Sequence, residues 1–178
     1  MLMRLLLSGI LMLGLCAVTP DALAHTMPVE ETYISMISAD GNTYGHIGRG
    51  STLGDVAEIF GDPSDVKEFR GDGIHNVTYI YDESFEFRGR EGQRNTTPAK
   101  DLKISSYTIK SSAVCTPSGF AVGAPYERIA EKYGQGFKRA TKNGMTNYFY
   151  DFNGGAIELC FTVDAAGAVQ VMELRTEV

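Results

Sequence analysis

Two stretches of the chain place apolar side chains at helical spacing. Leu53, Val56, Ala57 and Phe60 fall at i, i+3, i+4 and i+7, and Tyr126, Ile129, Ala130 and Tyr133 repeat that spacing, so each set lines one side of a short helix. Thr52 is placed to cap the first helix, and Pro125 to open the second, where a missing N–H costs nothing. Gly61 and Gly134 supply the left-handed residue that ends each one. After each helix the pattern changes to period two. Tyr79-Ile80-Tyr81 and Phe85-Glu86-Phe87 follow the first helix, while Tyr148-Phe149-Tyr150 and the alternating Ile157, Leu159, Phe161 and Val163 follow the second. Residues 104–109 and 169–174 add one further strand to each set, and a lead-in strand is predicted over 32–38, before a Gly-containing turn at 41–50.

The two sets are copies of each other. Residues 50–61 align on 123–134 at an offset of 73, and 79–82 align on 148–151 at an offset of 69, so the second copy has the shorter connection. The predicted fold is α+β: two tandem repeats, each a short helix packed on a three- to four-stranded antiparallel sheet. Residues 25–44 form an N-terminal arm and lead-in strand, 45–110 repeat 1 and 111–178 repeat 2, with 25–31 expected to be loose. No flexible linker separates the repeats, which argues for one rigid body. The main asymmetry is an insertion. The last two strands of repeat 2 are joined by a hairpin-sized connection at 164–167, whereas 88–101 lies between those of repeat 1.

A small-residue turn, a helix ending in Phe60-Gly61 or Tyr133-Gly134, and an aromatic strand at Tyr79-Ile80-Tyr81 or Tyr148-Phe149-Tyr150 recur in tandem. This arrangement resembles the beta-lactamase inhibitor protein architecture, and a single unit is similar to the BamE (SmpA) outer-membrane assembly lipoproteins. The resemblance implies an exported, non-catalytic scaffold that binds another protein with its sheet face and loops. It departs from the lipoproteins at Cys16, which follows Leu15 where a lipidation site has a small residue.

Residues 1–24 read as a signal peptide. Arg4 gives a positive start, 5–18 is apolar and too short to span a bilayer, and Ala22-Leu23-Ala24 offers a cleavage site before His25. The expected location is therefore periplasmic or secreted, with no membrane insertion after cleavage. Cys16 leaves with the signal, and Cys115 and Cys160, entering an oxidising compartment, are expected to form a disulfide.

A net charge of -6 removes the broad positive field that nucleic-acid binding requires. Against that background the insertion is basic: 88–103 carries Arg88, Arg90, Arg94, Lys100 and Lys103 against Glu91 and Asp101. Tyrosine suits interfaces because its ring is apolar and its tip polar. The candidate partner-binding residues are thus Tyr79, Tyr81, Tyr148 and Tyr150, with Arg88, Arg90 and Arg94. They point to a protein partner, bound by a monomer or homodimer. Metalloprotease, nucleophile-elbow, CxxC, P-loop and dinucleotide motifs are all missing from the sequence, and no cofactor is expected. Two alternatives use other residues. Glu86 and Glu158 occupy matching strand positions and would serve a small hydrolase, and His25, as the new N-terminus, would chelate copper. His46 and His75 lie in Gly-rich segments and are expected to face solvent.

Overall fold

The computed structural model describes residues 27–140 and 144–176. In chain order a 3-10 turn at Val29–Thr32 leads into β1 (Ile34–Ile37), β2 (Thr43–Ile47) and α1 (Leu53–Phe60). Four strands follow: β3 (Asp65–Gly71), β4 (Ile74–Tyr81), β5 (Phe85–Gly92) and β6 (Ile104–Ile109). After β7 (Val114–Cys115) comes α2 (Tyr126–Tyr133), and then β8 (Phe137–Ala140), β9 (Thr146–Phe152), β10 (Ile157–Val163) and β11 (Val169–Thr176). The molecule is α+β.

Both helices begin and end where local chemistry dictates. Thr52 Oγ1 accepts from the Asp55 N–H at 3.2 Å while Asp55 Oδ2 accepts from the Thr52 N–H at 2.7 Å, a reciprocal capping box. Pro125 stands one residue ahead of α2. Gly61 and Gly134 close the helices at φ of 82° and 78°, in the left-handed region that penalises a Cβ.

The strands do not make two separate small sheets. They form one eight-stranded antiparallel sheet in the order β3-β4-β5-β6-β11-β10-β9-β8, beside a three-stranded sheet β2-β1-β7. The four strands after α1 meet the four after α2 at the β6–β11 seam, where Ile109 faces Met172 and Tyr107 faces Leu174. Four strands depart from the sequence reading: β2 replaces a turn, β7 is added to the small sheet, and β3 and β8 are added as the outer edges of the large one. The insertion is also shorter than expected, because β5 continues through Arg88 and Arg90 to Gly92.

Period-two alternation gives the large sheet two unlike faces. In register across one face run Tyr81, Phe85, Ile109, Met172, Phe161 and Tyr148, and beside them Tyr79, Phe87, Tyr107, Leu174, Leu159 and Tyr150. Both helices pack on this face. The Phe60 ring of α1 lies 5.1 to 5.6 Å from Tyr81, Phe85 and Phe87, and Tyr126 of α2 stacks on Tyr148 at 3.8 Å. The N-terminal segment joins them, contrary to the expected loose arm: Met27, Glu31 and Thr32 are buried, and Tyr107 donates its hydroxyl to the Thr32 carbonyl at 2.8 Å. Across the other face run Thr78, Arg88, Ser106, Arg175, Glu158 and Asp151. No element among the described residues packs against them.

This two-sidedness corrects the disulfide. Leu159 and Phe161 point into the core, so Cys160 between them projects to the open face, in register with Glu173 and Phe149. Cys115 belongs to β7 in the small sheet, on the covered side. The sheet stands between two buried thiols, and both are free. Burial pushes the Cys115 thiol up and the Cys160 thiol up to about 12, with Glu173 and Glu158 adding to the effect at Cys160.

Candidate functional site

The open face carries a concavity of about 330 Å³ beside the seam, lined by Asn76, Arg88, Arg90, Ser106, Arg175 and their neighbours. Its geometry follows from strand register. Arg88 of β5 and Arg175 of β11 both face Ser106 of the intervening β6, so two guanidinium-bearing positions flank one hydroxyl. Arg90 lies one pleat further along β5, where it faces Asn76 of β4. Arg88 donates from Nε to Thr78 Oγ1 at 3.3 Å, and Arg175 is paired with Glu173 at 2.8 Å. The side chain of Arg90 has no polar partner among the described residues, and the Asn76 Oδ1 is buried and unpaired. An unpaired buried acceptor beside a free guanidinium leaves hydrogen-bonding capacity open at this point of the face.

Of the residues singled out in the sequence, the structure brings Arg88 and Arg90 together and adds Arg175, Ser106 and Asn76, which sequence reasoning missed. Arg94 lies in the loop after β5, outside the concavity. The tyrosines do not line the open face. Tyr79, Tyr81, Tyr148 and Tyr150 all sit in the two rows that face the helices, and Tyr81 and Tyr150 are buried there at 8% and 9% exposure. Their hydroxyls serve the fold: Tyr81 donates to the Gly61 carbonyl at 3.1 Å and Tyr150 to the Gly134 carbonyl at 2.9 Å. Burial holds both phenols well above their ordinary range, Tyr81 at about 12.

The histidines part company. His46 is exposed, as expected, with its ring edge-on to Tyr33 at 4.9 Å. His75 is only 2% exposed, against expectation, because β3 and the loop after β5 close over it. Its Nε2 lies 2.8 Å from Glu68 Oε1 and its Nδ1 2.8 Å from Glu91 Oε1, with Arg70 at 3.0 Å. The hydrogen bond from His75, with a second from Thr97, holds the Glu91 carboxyl below the usual carboxylate range. Arg70 also donates to the carbonyls of Gln93 and Asn95 at 2.7 and 2.8 Å, which ties the insertion to β3.

Glu86 and Glu158 both project from the open face, but β6 and β11 lie between their strands. Three inter-strand steps and a two-residue offset in register separate them by more than about 14 Å, beyond the roughly 5 to 9.5 Å that a carboxylate pair needs to work on one glycosidic bond. They are not a hydrolytic pair. His25, Cys16 and the 1–24 segment fall outside the described residues. Among the described residues no helix is long and apolar enough to cross a membrane, and no cluster of three His, Cys, Asp or Glu is arranged to hold a metal ion.

No family model matches the chain, and no curated protein matches it. Several solved structures share part of the fold. A cysteine-rich secretory protein from Staphylococcus aureus is 17% identical, with 72% of this chain and 44% of that chain covered and a TM-score of 0.44. A DUF4309 family protein from Bacillus subtilis is 20% identical, with 72% and 80% covered and a TM-score of 0.40. A protein from Streptococcus mutans, described provisionally as a beta-lactamase inhibitor protein, is 10% identical, with 80% and 90% covered and a TM-score of 0.29. The chain spans less than half the length of the Staphylococcus aureus protein. Likenesses of this size assign neither a family nor a function.

Proposed function

We propose that the chain is an exported, non-catalytic binding module that receives an acidic segment of a protein partner on the open face of its large sheet. The observation that carries this reading is the gathering of Arg88, Arg90 and Arg175 in one concavity on the uncovered face of a chain whose net charge is -6. A local basic site on an acidic protein attracts acidic groups selectively while the remaining surface repels other anions. Paired N–H donors on guanidinium groups suit carboxylates. Export is supported by the charge, apolar and small-residue pattern of 1–24. The two halves are read as copies of one unit, each a helix followed by four strands, which agrees with the mirrored strand order about the seam.

The test is capture from the native host's envelope and culture fluid on immobilised protein, beside an Arg88→Glu/Arg175→Glu variant of matched thermal midpoint. A partner held by the wild type, released by moderate salt and lost from the charge-reversed variant supports the reading. A partner retained equally by both proteins overturns the open face as the binding surface. So does the absence of any specific partner.

A further inference from the structure

Around the end of the sheet from the open-face concavity lies a second and larger cleft, of about 520 Å³. Its walls come from three places in the sequence: the turn at 49–50 ahead of α1, the insertion at 97–103, and the 3-10 turn after β9, where Asn153 and Ala156 contribute. The floor is apolar. Leu102, Ile104 and Ile157 are buried beneath it, with Ala156 beside them. The rim carries three cations, Arg49, Arg90 and Lys103, none of whose side chains has an ion-pair or hydrogen-bond partner among the described residues. Of the two carboxylates in the lining, Glu91 is already engaged by His75 at 2.8 Å, and only Asp101 is left to oppose the rim.

The cleft is preformed. Arg70 and the His75–Glu91 pair hold the insertion on one side. On the other, the Ile104 N–H donates to the Ser51 carbonyl at 2.9 Å and the Leu53 N–H to the Leu102 carbonyl at 3.0 Å. Gly54 packs so closely on the Lys100 carbonyl that a Cβ there would lie 2.9 Å from it. A hollow in the second half, between the start of α2 and the 164–167 hairpin, is lined by Glu127 and Asp164 and by no cation among the described residues. Three separate segments make the basic rim: the turn ahead of α1 gives Arg49, β5 gives Arg90, and the insertion gives Lys103.

We infer that this cleft binds a small amphipathic anion, a single carboxylate on a short aliphatic body. Its volume falls in the range of small-molecule sites, a few polar groups at the mouth fix orientation, and the floor takes the hydrocarbon. Unpaired cations at the rim interact with a carboxylate without first breaking a protein ion pair. Arg90 borders both the cleft and the open-face concavity, whereas Arg49, Lys103 and the floor belong to the cleft alone, so variants at Arg49 and Lys103 test it separately from the open-face reading.

The test is calorimetric titration of the purified protein with octanoate, and with 1-octanol as the neutral probe of equal chain length. Octanoate is expected to bind saturably, and 1-octanol about tenfold more weakly or worse, since a charge-assisted hydrogen bond is worth roughly that factor. Arg49→Gln/Lys103→Gln is expected to weaken octanoate by about tenfold. Ala156→Leu, which fills the floor, should abolish binding, and Arg128→Gln on the exposed side of α2 should leave it unchanged. Near-UV circular dichroism matched to wild type qualifies each variant. Equal affinity for octanoate and 1-octanol, full affinity in the Arg49→Gln/Lys103→Gln variant, or no saturable binding by the wild type would overturn the assignment.

Discussion

The hydroxyl of Tyr150, on β9, donates to the carbonyl of Gly134 at 2.9 Å, at the point where α2 ends. In the first half Tyr81 makes the same bond to Gly61 at 3.1 Å, so each helix is fastened to its sheet by a strand phenol at its C-terminal glycine. The second half goes further. Tyr126 at the start of α2 lies 3.0 Å from the Tyr150 hydroxyl and accepts from the Gly136 N–H at 2.9 Å. With Tyr150 donating to Gly134, Tyr126 donates to Tyr150, and the relay runs from one backbone N–H to one backbone carbonyl. α1 begins with Leu53 where α2 begins with Tyr126, and Leu53 cannot extend the chain.

Removing these hydroxyls should therefore have unequal effects. Tyr81→Phe deletes one bond and is expected to cost about 1 kcal/mol, whereas Tyr150→Phe also strands the Tyr126 donor and should cost about 2 kcal/mol. Urea unfolding with an unchanged denaturant slope reads both. Equal losses in the two variants would show that the relay adds nothing.

The same phenols set the alkaline limit. Burial holds Tyr81 at about 12 and keeps Tyr107, Tyr126 and Tyr150 above the usual value of 10.0. In each case the folded state keeps its proton while the unfolded state releases it, so the phenol contribution is full below about pH 10 and falls as pH rises toward 12. It adds to the loss that the buried Cys115 and Cys160 thiols begin at about pH 9. Urea midpoints measured across that interval should drop with pH, and Tyr81→Phe should reduce the slope. A flat profile would contradict the burial of these rings.

Cys115 and Cys160 should behave as free, protonated and shielded thiols. In the native protein at about pH 8, neither is expected to react with a thiol reagent on the timescale that labels exposed cysteine. In denaturant both should react, without prior reduction. Adding a reductant should leave the thermal midpoint where it was. A loss of two mass units relative to the reduced chain, reversed by reductant, would show a disulfide.

Gly89 marks the closest approach of β5 to the elements above it. A Cβ there would stand 2.6 Å from Leu102 Cβ and 3.1 Å from Leu53 Cδ1, so the start of the helix and the insertion both press on this one position. Gly89→Ala is expected to destabilise by about 2 kcal/mol through overpacking. Truncating Leu53 to Ala in the same chain cannot relieve the nearer Leu102 contact. The double variant should consequently be weaker than either single one, as urea midpoints would show.

What the chain determined by itself is local. The helix faces, the Thr52 cap and the terminal glycines could be read because capping and i, i+4 contacts span only a few residues. The aromatic strands could be read because one of their faces is buried and alternation records it. The edge strands β3 and β8 left no such trace. Residues of β3 are exposed on nearly every position, Val66 and Phe69 among them, and β8 shows Phe137 to solvent. Tertiary structure alone decided the rest: that two units share one sheet at the β6–β11 seam, that the helices and small sheet cover the tyrosine face, and that Arg175 joins Arg88 across Ser106. Each of these depends on pairing strands far apart in sequence. Strand pairing of that kind is set by which buried faces fit together after collapse, and no local pattern of residues encodes it.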